Sequence, residues 1–405
     1  MDQRLLILAL GMFALGTDSF VVAGVLPQIA HSFDISLAAA GQMMTVYALT
    51  YALLAPLIAT FAASVPRKQL LLSGLAIFVI ANLGTAMAPT FTVALATRAL
   101  AGLGGAMFSP TATSTAVTLM PPERRGFAIS ILVAGMTIST ALGSPIGAVI
   151  GGLGDWHLTM LFVAALAAVA GVGVLILLSD IPLLPAVSLT QRLAPLADAR
   201  IGLTLFTTLL FFSGVFTIYT YFSLVFEQAI SGSPIILGGL LVLWGVAGTV
   251  SNLLTGRLVD RIGSRRVLNT MLLLVVVNFL LLPWTGVNLW TATVAVLLWG
   301  ACGWGISVPQ QHRIIGIAPP IAPIVIGLNN SATFLGATVA GLAGATGIKL
   351  FGGQSLSLIA AVLVGAALVF SELAARRIAR GVIPGGEVPS EATPSSLSSA
   401  VPKAD

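Results

Sequence analysis

Asp18 and Arg98 lie inside long apolar stretches, where a charge needs a chemical reason to be present. The first stretch begins at Leu5, which puts Asp18 thirteen residues in, roughly 20 Å at 1.5 Å per helical residue. The fourth begins at Phe91 and runs the opposite way, so Arg98, seven residues in, lies about 10 Å from the other face. Across a hydrocarbon layer roughly 30 Å thick, the two charges arrive at one depth. An ionisable group there costs on the order of 3 kcal/mol or more unless it is paired or hydrated. The chemistry on offer is a carboxyl group that takes up and releases a proton beside a fixed cation. The structural alternative is an aspartate that hydrogen-bonds Thr17, Ser19 or a neighbour, with Arg98 neutralising it.

Other residues supply contacts rather than proton chemistry. Phe212, Phe216 and Tyr219 recur at i, i+4 and i+7, which makes one helical face that can line an apolar cavity with a polar rim. Asn329 and Asn330 fall within an apolar stretch, where an amide is costly without a partner. His31, His157 and His312 have no carboxylate or second histidine at metal-ligand spacing, so they read as surface residues and no metal site is expected. The lone cysteine, Cys302, allows no disulfide framework. No phosphate-binding G-x-x-x-x-G-K-[ST] loop occurs, and no cofactor is expected beyond the proton as coupling ion.

The elements that carry these residues follow from composition. Of 405 residues, 57% are hydrophobic and 8% are charged, against roughly 25% charged in a soluble domain. Apolar runs of spanning length occur near 5–26, 39–61, 69–88, 91–112, 127–150, 158–179, 201–224, 235–256, 267–284, 290–309, 322–345 and 355–375. With the N-terminus inside, sixteen of the eighteen Lys and Arg residues fall in inner loops and tails, Arg313 among them; Lys349 is outside and Arg98 is within a run. Basic loops stay on the cytoplasmic side, which predicts a multi-pass protein with both termini cytoplasmic. The net charge of +5 is spread over short loops, so no nucleic-acid face is expected.

Residues 1–180 read as one six-helix half, 181–200 as a Pro-containing cytoplasmic linker, 201–380 as a second half and 381–405 as a disordered tail. The loop after run 2 (Pro66, Arg67, Lys68) and the loop after run 8 (Gly263, Ser264, Arg265, Arg266) stand 197 residues apart, a weak repeat of the kind seen in parallel transporter halves.

The second of these loops, with Gly256, Leu258, Asp260, Arg261, Gly263, Arg265 and Arg266, resembles the G-x-L-x-D-R-x-G-x-[RK]-[RK] signature of the major facilitator superfamily. Arg98, Gly102 and Gly104 resemble its R-x-x-x-G-x-G motif. Gly143, Pro145 and Gly147 resemble the glycine-proline motif of its twelve-span drug:proton antiporter branch. Asn329, Asn330 and Ser331 resemble a segment of sugar- and purine-efflux members. The first-half loop departs from the signature, with Ala63 for its Asp and Pro66 for its Gly.

The resemblance implies an all-α membrane protein with twelve helices in two pseudo-symmetric six-helix bundles. It implies a proton-coupled antiporter, not an enzyme, that exports small organic molecules or drugs by alternating access from a bacterial inner membrane as a single chain. Proton coupling would fall to Asp18 and Arg98. Cargo binding would fall to Tyr47, Tyr51, Phe212, Phe216, Tyr219, Asn329 and Asn330. Gating would fall to Asp260, Arg261, Arg265, Arg67, Lys68, Gly143, Pro145 and Gly147, the last three read first as packing or hinge residues. A symporter or uniporter for uptake, and a non-transporting membrane sensor, are the other readings of the same chain.

Overall fold

The computed structural model describes residues 2–121, 124–179 and 187–381. Twelve of its helices are long and apolar enough to cross a membrane: α1 Gln3–Gly24, α2 Leu37–Phe61, α3 Arg67–Ala86, α4 Phe91–Leu119, α5 Arg125–Gly152, α6 Trp156–Leu177, α7 Ala199–Thr220, α8 Pro234–Ile262, α9 Ser264–Thr285, α10 Leu289–Ile317, α11 Pro319–Phe351 and α12 Gly353–Arg380. Polar caps start several of them. Asp2 accepts from the Arg4 amide, Asp198 from that of Arg200 and Asn288 from that of Trp290, at 2.8–2.9 Å, satisfying amides that lipid cannot. Gly263, at φ 85°, ends α8 in a left-handed conformation that a residue with a Cβ resists.

The helices form two bundles, α1–α6 and α7–α12. They meet along two seams, α2 on α11 and α5 on α8, which exchange under the pseudo-two-fold relation. Inside the first bundle, α5 lies along α1 through a ladder of glycines. A Cβ on Gly135 would stand 2.3 Å from the Ala9 carbonyl oxygen, one on Gly143 2.0 Å from Thr17 Oγ1, and one on Gly147 2.4 Å from Val21 Cγ2. Without a hydrophobic force between helices in lipid, this approach is what dispersion attraction needs. Midway along α5, Ser139–Gly143 form a π-helical turn just before Pro145. Proline has no N–H for the carbonyl one turn back, so the widened turn falls where the α ladder is already broken.

Two expectations change. The run expected to end at 309 continues, past a one-residue turn at Ile306, as helix to Ile317, where Ala318 followed by Pro319 and Pro320 ends it. Arg313 is therefore buried in α10 and not in a loop; it donates to the Ser371 hydroxyl of α12 at 3.3 Å, and that hydroxyl donates to Asn269 of α9 at 2.7 Å. Of the expected linker 181–200, residues 181–186 lie outside the described residues, short helices form at Leu189–Leu193 and Ala194–Ala197, and the last two residues open α7. Arg192 of the first donates to the Ala59 carbonyl at the end of α2 at 3.1 Å. The tail from 382 onward also lies outside the described residues.

Candidate functional site: a buried ion pair beside an aromatic seam

Arg98 Nη1 donates to Asp18 Oδ1 at 2.7 Å, and both side chains are 0% exposed. The matched depth read from helix arithmetic is thus a direct contact between α1 and α4. The Arg98 guanidinium lies 4.9 Å from the centre of the Tyr47 ring of α2, whose quadrupole favours a cation. Ser19, next to Asp18, brings its hydroxyl to 3.1 Å from that of Tyr47.

The pair is incompletely satisfied. Asp18 Oδ2 and Arg98 Nε and Nη2 are buried with no hydrogen-bond partner. A forked, two-bond geometry would offset much of the desolvation of two charges; a single bond with three atoms left over does not. Asp18 and Arg98 therefore cost stability where they stand, and the arrangement is suited to being broken and remade.

The aromatic candidates fall into two groups. Tyr47 and Tyr51 of α2 face Phe334 of α11, with Tyr51 stacked on it at a centroid distance of 3.9 Å. Phe212, Phe216 and Tyr219 of α7 are buried, and the last two meet Phe20 of α1 at 6.0 and 5.4 Å. The Tyr219 hydroxyl donates across the bundle boundary to the Phe20 carbonyl at 3.1 Å and lies 3.2 Å from the Ser144 hydroxyl.

Asn329 is buried, and its Oδ1 accepts from Thr208 of α7 at 2.7 Å; Gln310 of α10 also donates to Thr208, at 2.9 Å. Its amide already has a partner inside its own bundle. Asn330 is exposed and shares a helical face with Phe334, four residues on, which turns it towards α2.

Among the described residues, the loop residues make no hydrogen bond or ion pair between bundles. Asp260 and Arg261 are exposed. Arg265 forks onto Glu372 of α12, and Arg67 donates to Ser114 of α4, each within its own bundle. Gly143 and Gly147 pack on α1, and the Pro145 carbonyl lies beside Gly238 of α8.

Hydrogen bonds between the bundles lie on the side away from the termini. Besides those of Tyr219, Gln42 donates to the Gly341 carbonyl at 3.4 Å, and Tyr221 is within 3.5 Å of the Ala38 carbonyl. Among the described residues, nothing comparable joins the bundles on the terminal side, where Arg192 of the linker holds α2 instead.

Sequence reasoning missed Phe20, Tyr221, Trp244, Trp304 and Phe334. Phe20 alone carried a usable signal, being two residues from Asp18.

The family model described as the Major Facilitator Superfamily matches residues 8–320. The inner membrane transport protein YdhP of Escherichia coli strain K12 is 29% identical over 369 residues, 90% of this chain and 93% of the relative. A probable sugar efflux transporter of Helicobacter pylori strain J99 is 26% identical over 368 residues, 89% and 92% of the two chains. The crystal structure of a bacterial homologue of the human lysosomal transporter Spinster, in an inward-facing and unoccupied conformation, superposes with a TM-score of 0.69 at 16% identity, covering 94% of this chain and 98% of the other. Twelve spanning helices in two six-helix bundles and a family match over most of its length make this chain a member of the major facilitator superfamily, a multi-pass membrane transporter and not an enzyme.

Proposed function

We propose that the protein is a proton-coupled antiporter that exports a small organic molecule across a bacterial inner membrane, with Asp18 as the proton carrier. The observation that carries this reading is the Asp18–Arg98 pair, fully buried yet joined by one hydrogen bond with three polar atoms left over. Protonation of Asp18 removes the charge that holds Arg98, and the freed guanidinium turns to other acceptors, cargo among them. Proton and cargo then bias the same contact between α1 and α4 in opposite directions, which is the linkage an antiporter requires.

The bundles, residues 1–180 and 201–380, rock about the seams α2–α11 and α5–α8 to open each side in turn. The concentration of Lys and Arg on the terminal side favours a cytoplasmic location for both termini. Efflux as the direction rests on the glycine-proline pattern of α5 and on the name of the Helicobacter relative. Inner-membrane residence rests on the name of the Escherichia relative.

The test is transport into inside-out vesicles with an imposed pH gradient, using a panel of sugars, purines and lipophilic drugs. A cargo accumulated only with the gradient, and not by Asp18→Asn vesicles, is the expected result. Gradient-driven flux that survives Asp18→Asn overturns the reading.

A further inference from the structure

The ring of Phe20, from the first bundle, is inserted among four rings of the second: Phe216 at 6.0 Å, Tyr219 at 5.4 Å, Trp244 at 6.2 Å and Trp304 at 5.7 Å between centroids. Tyr219 and Trp304 meet it edge-on, at interplanar angles of 85° and 75°, as aromatic pairs prefer. The receptacle is built from α7, α8 and α10, and its occupant is the single ring that α1 sends across the boundary.

A phenyl ring fills this space but does not satisfy it. The indole Nε1 groups of Trp244 and Trp304, and of Trp299 behind them at 5.4 Å from Trp244, are buried without an acceptor. A buried indole N–H ordinarily finds a partner. Two unpaired donors on rings that border Phe20, with a third behind them whose Nε1 lies beside Gly303 of its own helix, describe a place that lacks a hydrogen-bond acceptor.

We propose that Phe20 occupies the cargo's place in the resting protein, and that the cargo is a planar aromatic ring bearing a hydrogen-bond acceptor at its edge, such as a carbonyl. This rests on the transport reading above and names the substrate class of that site. Separation of the bundles withdraws Phe20 and uncovers the receptacle; the cargo ring enters in its stead, and its acceptor takes the N–H of Trp304 or Trp244. Phe20 is two residues from Asp18, so displacing it moves the stretch of α1 that holds the carboxylate, and this links the cargo to the ion pair. Asp18 turns its carboxylate to Arg98 of α4 and not to these rings, so a cationic ring finds no counter-charge among them.

The test is calorimetric titration of the purified full-length protein in detergent, with no pH gradient, using four water-soluble probes: benzamide, cyclohexanecarboxamide, benzylammonium and glucose. Benzamide, which has both ring and acceptor, is expected to bind at least about fivefold tighter than cyclohexanecarboxamide or benzylammonium, the effect of one net hydrogen bond or one aromatic contact. Trp304→Phe or Trp244→Phe removes most of the preference over benzylammonium, and Phe20→Ala tightens benzamide. Equal affinity for benzamide and cyclohexanecarboxamide, glucose as the preferred probe, or a preference that survives both tryptophan substitutions overturns the proposal. Because no proton gradient is involved, failure of proton-driven flux leaves this result standing, and the reverse also holds.

Discussion

Tyr221, just after α7, stands against Gly41 in α2 so closely that a Cβ on Gly41 would lie 2.5 Å from the tyrosine hydroxyl. On its other side a Cβ on Gly344 of α11 would lie 2.3 Å from Tyr221 Cε2. The ring is a wedge between bundles, fully buried, with its hydroxyl donating to the Gly341 carbonyl at 3.1 Å. Gly344→Ala is expected to cost about 1–3 kcal/mol in thermal unfolding, the usual effect of overpacking. Adding Tyr221→Leu should recover part of it. If the double variant is no more stable than the sum of the single changes, the ring is not wedged there.

The ion pair makes an asymmetric prediction. Asp18→Asn strands a buried guanidinium and should cost about 3–5 kcal/mol, whereas Asp18→Leu with Arg98→Met removes both charges and should be near neutral in stability. Gradient-driven transport should be absent in both. Thermal unfolding separates the outcomes, and a double variant clearly less stable than the unsubstituted protein would contradict the view that the pair is retained at a cost.

At the terminal side of the second bundle, two polar contacts of similar appearance should differ in weight. Ser371→Ala removes the hydroxyl shared by the buried Arg313 and Asn269, and about 1–3 kcal/mol should follow from leaving such groups unsatisfied. Glu372→Gln weakens pairs whose arginines are 57% and 66% exposed, so less than about 1 kcal/mol is expected. Equal losses would mean that the Arg313 site is more hydrated than its burial implies.

The start of α7 carries a pH signature. The Arg200 guanidinium hydrogen-bonded to Asp198 holds that carboxyl below its usual range. A lowered folded value means stability present above the unfolded carboxylate pKa, about 3.9, and lost as pH falls through the folded one. Asp198→Asn should therefore lower the unfolding temperature at pH 7, with a difference that shrinks as pH falls below about 3.9. A difference that persists unchanged at low pH would assign the effect to capping alone.

The twelve spans were readable because a membrane demands about twenty apolar residues at a time, and the depth of Asp18 against Arg98 was readable because helix rise is constant. Which way each span faces was not. In lipid both the packed and the exposed faces are apolar, so Phe20, Trp304 and Phe334 look like the exposed Trp290 or Phe351 until their neighbours are known. Asn329 looked like a cargo contact because its partner, Thr208, lies 121 residues away in sequence. The length of α10 was underestimated because Gln310 and Arg313 read as loop residues, although each finds its hydrogen bonds inside the bundle.

Asp18 and Arg98 are 80 residues apart in the chain. A ribosome adding about 5–20 residues per second takes roughly 4–16 s to cover that distance. Throughout that interval the newborn first helix carries an acidic group with no counter-charge, so it must linger near the headgroups or enter the bilayer neutralised by a proton. Biogenesis thus imposes on Asp18 the same choice between H⁺ and Arg98 that the proposed transport cycle asks of it.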